Sequence, residues 1–337
     1  MSARPTIHDV AAAAGVSVAT VSKAVNGRYG IAPATVERVM AEVARLGYES
    51  SLVASSMRSR RTGVIGVLVA DFEPFSSEVL KGVSTGLRTA GDEYDLLAYS
   101  GSRQGRHDGW ERRSLSRLSG TLVDGAILVT PTVLTTATSI PVVAVDPHTG
   151  RGDLPSVEGD SYGGALLAVQ HLAELGHRRI GFLAGREDLR SASLRAAGYR
   201  RALADAGLPH DPALTRAGDF ELSTARRAAH SLLTIAQPPT AVFAANDLSA
   251  IALLRTADEL GVSVPDDLSV VGFDDIPEAA RARPALTTVR QPIQRLGVVA
   301  TETLLALLRG DEPASSTVQL PTRLVVRDTT APPRATA

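Results

Sequence analysis

The sequence predicts a small all-α head with a helix-turn-helix pattern, followed by an α/β body of two doubly wound parallel-sheet lobes. The head is indicated by three short stretches in the first 48 residues whose apolar side chains recur at helical spacing. The body is indicated by apolar runs that alternate with helical segments from Gly63 onward, a pattern typical of parallel sheets. About 275 residues follow Thr62, more than one core comfortably fills, so two lobes are expected.

The first two helices of the head, which we assign to residues 1–49, are joined by a tight turn. Gly15 ends the first helix, because glycine takes a positive φ without steric cost. Ser17 can cap the second helix, and Asn26-Gly27 ends it. The predicted inward residues are Ile7, Val10, Ala11 and Ala14 in the first helix, and Val21 with either Ala24 or Val25 in the second.

A third helix begins near Pro33 and ends before Gly47. The following segment, residues 50–62, is rich in Ser and Arg and has room for at most two helical turns. An isolated helix of that length is marginal in water, so this segment is predicted to be a hinge or linker. The predicted apolar face of the third helix consists of Val36, Val39, Met40, Val43 and Leu46.

The body, residues 63–330, is predicted to contain six buried strands, at residues 64–70, 126–129, 142–145, 180–184, 241–244 and 268–273. Helices are predicted at residues 79–89, 164–175, 193–206, 224–235, 249–260 and 293–308. Ligands sit at the carboxyl ends of parallel strands, so the cleft between the lobes is the expected ligand site. Residues 331–337 are expected to be disordered, and they contain no leucine heptad that would join dimers into a tetramer.

Charge is divided unevenly along the chain. Residues 1–62 carry a net charge of +4 and the remainder −5, which predicts a polyanionic partner for the head alone. The chain has no cysteine, which excludes disulfides and thiolate metal sites. It has no apolar signal peptide and no stretch long enough to span a membrane, so we expect a cytoplasmic protein without a membrane partner.

The stretch from Thr6 to Gly27 resembles the head of the LacI/GalR (lactose-repressor) family almost residue for residue. The body motifs Asp160-Ser161-Tyr162-Gly163-Gly164 and Ala245-Asn246-Asp247 resemble the sugar-sensing core of that family, which shares the fold of type I periplasmic binding proteins. The resemblance covers nearly the whole chain. It implies a homodimer that binds a near-palindromic operator, with one head on each half-site.

By this resemblance, the second helix lies in the major groove of double-stranded operator DNA. Val18, Ala19 and Lys23 are predicted to contact bases, with Lys23 donating to guanine. Asn26 is predicted to contact the backbone or a base. The alternative is that Lys23 is a solvated surface residue and that Ser17 and Thr20 only cap a helix. The predicted phosphate contacts are Thr6, Ser17, Thr20 and Ser22.

The resemblance also implies that the hinge folds on DNA and enters the minor groove. Met57 occupies the position of the wedging leucine, and Ala54 that of the small neighbour that lets the helix approach. The chain departs from the family at Ser50-Ser51, where Pro-Asn is usual, and at Ser55 in place of a frequent arginine. The alternative for Met57 is a linker residue buried against the body.

Ligand contacts are expected from side chains suited to a sugar, with polar groups for hydroxyls and rings for C–H faces. Asp274 and Asp275 could instead have a turn or cap role, and Asp247 could cap a helix. Phe72 and Phe75 could instead belong to the core. His171 and His177 are interpreted as structural residues rather than metal ligands. The predicted ligand-binding residues are Phe72, Phe75, Asp146, Arg195, Phe220, Asn246, Asp274 and Gln291.

The predicted function is a ligand-responsive repressor of carbohydrate-utilisation genes that a sugar releases from DNA. A purine or another small molecule acting as corepressor is the first alternative. A solute-binding protein is the second, and the head and the lack of a signal peptide argue against it. An enzyme is not expected: Asp274-Asp275 are adjacent, whereas glycosidase carboxylates stand roughly 5–9 Å apart across the bond. No nucleophile motif, metal cluster or cofactor fingerprint is present, so no cofactor is expected.

Overall fold

The computed structural model describes residues 5–25, 30–48, 61–91, 94–101, 109–132, 138–148, 154–313 and 315–334. The chain divides into two compact units, Met1–Thr62 and Gly63–Ala337. Each unit has a hydrophobic core of its own.

The head contains three helices: α1 (Ile7–Ala14), α2 (Val18–Val25) and α3 (Pro33–Leu46). Gly15 and Gly47 follow α1 and α3 with left-handed backbones, both at a φ of 63°. These glycines end the helices as the sequence predicts, because an L side chain is strained at such a φ.

The head core settles one alternative and corrects one prediction. Val21 and Ala24 are buried whereas Val25 is half-buried, so Ala24 is the inward residue of α2. Met40 was predicted to face inward and is 43% exposed. Its neighbour Val39 is fully buried, and successive helical residues point about 100° apart, so both cannot face the core.

The first lobe of the body holds a six-stranded, fully parallel sheet. Its elements are β1 (Val64–Val69), α4 (Pro74–Ala90), β2 (Asp95–Ser100), α5 (Trp110–Leu118), β3 (Gly125–Val129), β4 (Val142–Val145), β5 (Ser156–Gly159), α11 (Ile293–Arg309) and β11 (Thr317–Leu320). The strand order is β11-β5-β4-β3-β1-β2. The central strands β1, β3 and β4 are fully buried, which is typical of a parallel sheet covered on both faces.

The second lobe holds a six-stranded sheet in the order β12-β10-β9-β8-β6-β7. Its elements are α6 (Ser161–Glu174), β6 (Ile180–Ala184), α7 (Arg190–Asp205), β7 (Thr215–Ala217), α8 (Leu222–Leu233), β8 (Ala241–Ala244), α9 (Asp247–Glu259), β9 (Ser269–Asp274), α10 (Pro277–Arg281), β10 (Thr287–Arg290) and β12 (Arg323–Val325). Only the edge strand β12 is antiparallel to its neighbour among the described pairs. Two doubly wound lobes are therefore confirmed.

The chain passes between the lobes at three crossovers, near residues 160, 291 and 321. The carboxyl ends of β1, β3 and β4 consequently face those of β6, β8 and β9 across a cleft. Ile276, which follows β9 of the second lobe, packs into the core of the first lobe.

The expectation of a disordered tail is wrong for residues 331–334. Ala331 exchanges hydrogen bonds with the Ser269 hydroxyl, both at 3.0 Å, and Arg334 pairs with Asp267. Just before them, Thr329 is fully buried and donates to the carbonyl of Val270 at 2.6 Å. The expectation rested on composition, and it overlooked the hydrogen bonds that short Thr and Ser side chains make. Residues 335–337 lie outside the described part.

Candidate functional site

The accessible side of α2 presents two of the three side chains predicted to contact bases. Ala19 and Lys23 are exposed and four residues apart, so they share one helix face. Val18 is half-buried and packs against the head core, which accounts for part of its apolar surface. Ser17 caps α2, because its hydroxyl accepts from the backbone N–H of Thr20 at 3.1 Å.

The four predicted phosphate contacts differ in the surroundings of their hydroxyl groups. Ser17 and Thr20 form a hydroxyl pair at 2.9 Å, in which one hydrogen remains for another acceptor. Thr6 donates both its hydroxyl and its backbone N–H to Asp9 at 2.7 Å, which closes the start of α1 and leaves neither donor for a phosphate. Ser22 is half-buried on α2.

Three further DNA-binding predictions fall outside the described residues. These are Asn26 at the end of the second helix, and Ala54 and Met57 in the hinge. Their roles stay predictions.

In the body, a cavity of about 310 Å³ lies between the lobes at the carboxyl ends of the strands. It brings together residues from both halves of the chain, which confirms the expected position of the cleft. Six of the eight residues predicted to bind ligand line it, namely Phe75, Asp146, Arg195, Phe220, Asn246 and Asp274.

The two remaining predicted residues lie elsewhere. Phe72 is 49% exposed and does not line the cavity. Gln291 is buried behind the wall, where its side-chain N–H donates to Asp274 at 2.8 Å. Gln291 therefore positions a wall residue at one of the crossovers.

The cavity is surrounded by strained backbone. Thr130, Asp146, Asp219, Phe220 and Asp274 line it with φ values of 48°, 48°, 55°, 61° and 117°, in the left-handed region that L residues avoid. Asp275, next to the cavity, is the one other non-glycine residue with positive φ in the described ranges. Such strain clusters at binding sites, where the surrounding fold imposes it.

Arg195 is the cationic centre of the cavity wall. Its guanidinium stacks on the ring of Phe273 at 3.8 Å and lies 5.5 Å from that of Phe220. It also donates to the carbonyl of Ala245 and pairs with Asp274 at 3.5 Å. Arg195 is 3% exposed, so these contacts hold its orientation.

Two wall carboxylates are buried and titrate far above their usual range. Burial raises the pKa of Asp274 to about 7, although the nearby Arg195 lowers it. Burial also raises the pKa of Asp146 to about 6, and the carboxylate of Asp146 has no hydrogen-bond partner among the described residues. Both side chains are placed to accept from a ligand.

The structure decides which of two neighbouring residues, Asn246 and Asp247, caps the helix that follows them. Asn246, not Asp247, caps α9, because its side chain accepts from Ser249 N–H at 3.0 Å. Asp247 is fully buried and accepts from Ile276 N–H at 2.9 Å and from the hydroxyl of Thr288. Burial and the nearby Asp274 raise the pKa of Asp247 well above its ordinary value.

Asp275 has a structural role, unlike Asp274. Its carboxylate pairs with Arg290 and, at 2.6 Å, with Arg327. It therefore ties β10 to the segment after β12 and does not line the cavity.

Sequence reasoning missed several lining residues, among them Glu73, Trp110 and His148. Burial lowers the pKa of His148 to about 4, and its Nδ1 atom is buried without a partner. Glu73 and His148 each lie within a few residues of a strand end, the same rule that selected Asp146. Trp110 is the single tryptophan of the chain, and no motif pointed to it.

Comparison with known proteins identifies the family. Residues 6–51 match "Bacterial regulatory proteins, lacI family", and residues 169–330 match a periplasmic binding protein-like domain. Catabolite control protein A of Priestia megaterium is 33% identical over 96% of this chain and 99% of its own. The HTH-type transcriptional repressor PurR of Photobacterium profundum is 34% identical over 96% of this chain and 97% of its own. The chain belongs to the lacI family.

Solved structures agree with this assignment to the lacI family. The Lac repressor dimer bound to operator and the anti-inducer ONPF has a TM-score of 0.82 at 29% identity, covering 98% of this chain and 100% of that one. A complex of the transcriptional regulator CelR with cellobiose has a TM-score of 0.71 at 34% identity, covering 97% and 100%. This lacI-family chain is a ligand-responsive transcription regulator with a DNA-binding head.

Two histidines of this regulator hold its C-terminal segment. His177 bonds to the hydroxyl of Thr240 at 2.9 Å and to the carbonyl of Ala331 at 3.0 Å, and His171 bonds to Thr330 at 3.1 Å. Burial lowers the pKa of both imidazoles. Within the described ranges, no group of three or more potential ligands is arranged to hold a metal ion. No helix there is long and apolar enough to cross a membrane.

Proposed function

We propose that this regulator represses carbohydrate-utilisation genes and that a sugar bound between its lobes releases it from the operator. The composition of the cavity wall supports a sugar: the rings of Phe75 and Phe220 adjoin the carboxylates of Asp146 and Asp274 and the amide of Asn246. Rings cover the C–H faces of a sugar, and carboxylates and amides bind its hydroxyls. A cavity of about 310 Å³ suits a mono- or disaccharide.

The same wall supports a mechanism of release. Asp146 and His148 belong to the first lobe, and Arg195 and Asp274 to the second, so one bound sugar would draw the two lobes together. Closure of the lobes would change how well the two hinge segments of a dimer pair on DNA. A coupling of about 1–3 kcal/mol corresponds to a 5–150-fold change in operator affinity.

The test is a mobility-shift titration of a palindromic operator in the presence of single sugars. We expect at least one free sugar to weaken operator binding, and a Phe220→Ala variant to lose that response while its affinity without sugar is unchanged. Operator affinity that stays constant across a broad sugar panel would contradict the effector part of the proposal.

The DNA-binding part rests on the exposed face of α2, and Lys23 provides its test. If Lys23 donates to guanine, Lys23→Ala costs about 1–3 kcal/mol and relaxes discrimination at one base pair of each half-site. The control is Arg38→Ala, an exposed cation on α3. A uniform loss of affinity across operator variants would assign Lys23 to a phosphate instead.

A purine corepressor is the second candidate, because PurR is among the relatives and the same rings would stack on a planar base. It predicts that a free purine base such as guanine strengthens operator binding, whereas a sugar inducer weakens it. In either case we propose a homodimer without enzymatic activity or cofactor. We also propose a cytoplasmic location, where the chromosomal operator is accessible.

A further inference from the structure

The cavity between the lobes is lined by more carboxyl groups than cationic groups. Two guanidinium groups line it, those of Arg186 and Arg195. Six carboxyl groups line it, from Asp71, Glu73, Asp146, Asp219, Glu221 and Asp274. The electrostatic potential of such a wall opposes any anionic ligand.

The cations of the wall are already paired. Arg195 donates to the carbonyl of Ala245 and pairs with Asp274. Arg186 donates two hydrogen bonds to the carboxylate of Asp188, at 3.0 and 2.6 Å. His148 adds no positive charge near pH 7, because burial lowers its pKa to about 4.

Helix N-termini often bind phosphate through free N–H groups, but here the chain's own oxygens take up several of them. At the start of α4, the carboxylate of Glu73 accepts from the N–H groups of Phe75 and Ser76, both at 2.7 Å. At the start of α9, Asn246 accepts from Ser249 N–H at 3.0 Å. At the start of α7, Arg190 N–H donates to the carbonyl of His148 at 2.7 Å.

Two acceptors without a partner among the described residues, by contrast, line the cavity. Asp146 is 7% exposed, and its carboxylate has no hydrogen-bond partner among the described residues. The buried Nδ1 of neutral His148 is likewise unpartnered and can accept a hydrogen bond. A buried acceptor without a partner is costly, and a hydroxyl donor removes that cost.

We infer that the effector is an unphosphorylated sugar without any anionic group, and that the cavity rejects the phosphorylated form of the same sugar. This inference rests on the proposed function and narrows its ligand class. A reaction that transfers a phosphoryl group to the sugar would therefore end the response, because it turns the effector into a ligand that the wall repels.

The test compares matched pairs by isothermal titration with the full-length protein. The pairs are glucose with glucose 6-phosphate, ribose with ribose 5-phosphate, and cellobiose with its 6-phosphate. We expect one free sugar to bind and its phosphorylated partner to bind at least ~30-fold more weakly, the effect of a phosphate charge near unpaired carboxylates. A phosphorylated member that binds within about threefold of its partner, or more tightly, overturns the inference.

A charge-neutralised variant tests the cause. In Asp71→Asn/Asp219→Asn/Glu221→Gln, three acidic groups at the wall become amides. The gap, meaning the ratio of affinities for the free and the phosphorylated sugar of the responding pair, should therefore narrow by about 10-fold. The control Glu174→Gln/Asp258→Asn/Glu312→Gln removes three exposed charges outside the cavity and should keep the gap. An unchanged gap in the first variant overturns the electrostatic argument. If no member of any pair binds or alters operator affinity, the sugar proposal itself fails, which is a different result from binding of both members.

Discussion

Asp146 has three features that destabilise the folded protein. Its φ of 48° is left-handed, its side chain is 7% exposed, and its carboxylate has no hydrogen-bond partner among the described residues. Such a residue is destabilising in isolation, and under the proposed function a bound ligand would supply the missing donors. If Asp146 binds the effector as proposed, stability and response to the ligand oppose each other at this position.

We predict that Asp146→Asn stabilises the body above pH 6 by about 1–3 kcal/mol and abolishes the response to sugar. Burial raises the pKa of Asp146 from 3.8 to about 6, so the folded state holds a proton that the unfolded chain has released. The wild-type stability that depends on this proton is present below pH 4 and is lost as the pH rises through 6. Asparagine tolerates the left-handed backbone and has no charge to bury.

Urea unfolding of both proteins from pH 4 to pH 8 measures this difference. The control is Asp219→Asn, which also has a left-handed backbone, at a φ of 55°, but is half-exposed. Equal pH dependence of wild type and Asp146→Asn would show that Asp146 ionises without cost.

Among single residues, the sequence predicted those that belong to recognisable motifs or directly follow strands, such as Arg195 and Asp274. It did not predict Trp110, which reaches the cavity from the start of a polar helix, or His148, whose role depends on burial. It also could not show that Phe72 is exposed while Phe75 is buried, because both residues follow β1. Burial depends on packing between distant segments, and local pattern does not encode it.

At the scale of elements, the first lobe is organised by a close helix crossing. A Cβ atom on Gly82 of α4 would lie 2.0 Å from the carbonyl oxygen of Gln294 in α11, and one on Gly297 would lie 2.4 Å from that of Val79. The two helices approach this closely because both positions lack side chains. Neither glycine has a positive φ, so space rather than conformation requires them.

We predict that Gly82→Ala destabilises the body by about 3 kcal/mol, because backbone atoms must move to admit the methyl group. Thermal unfolding followed by circular dichroism measures the change. The control is Thr89→Ala, on an exposed turn of the same helix. A Gly82→Ala variant as stable as this control would mean that α4 and α11 can move apart to admit the methyl group without loss of stability.

The elements that the sequence predicted are the buried ones. The Val- and Ile-rich strands β1, β3, β4, β6, β8 and β9 were all predicted, because strands covered on both faces form continuous apolar runs. The missed strands β2, β7, β11 and β12 are the edge strands of the two sheets, are partly exposed and lack such runs. The missed strands β5 and β10 are mostly buried, but each has only four residues, with too few apolar side chains to form a run. Two helices of the body were also missed: α5, with the sequence WERRSLSRL, has too few apolar residues to show a period, and α10 has only five residues.

At the scale of the body, the two lobes are tied by an ion pair across the cleft. Glu158 of β5 in the first lobe pairs with Arg190 of α7 in the second, and its side chain is 8% exposed. The sequence predicted two lobes but not this ion pair, because its partners lie 32 residues apart in the chain and in different lobes.

We predict that Arg190→Met weakens sugar binding roughly 10-fold, by favouring an open arrangement of the lobes. In the closed arrangement Glu158 would be a buried charge without its partner, and opening would hydrate it. Isothermal titration with the responding sugar measures the loss, and small-angle scattering without sugar should give a larger radius of gyration. The control is Arg201→Met, whose partner Asp205 lies on the same helix. Unchanged affinity would assign closure to other contacts.

The single tryptophan of the chain lies in the wall of this cavity, where it is 1% exposed. All indole emission from the protein therefore originates beside the proposed effector site. A ligand that enters the cavity or draws the lobes together changes the polarity around that one fluorophore. The unmodified regulator should thus report its own occupancy by fluorescence, with no dye and no second tryptophan to dilute the change.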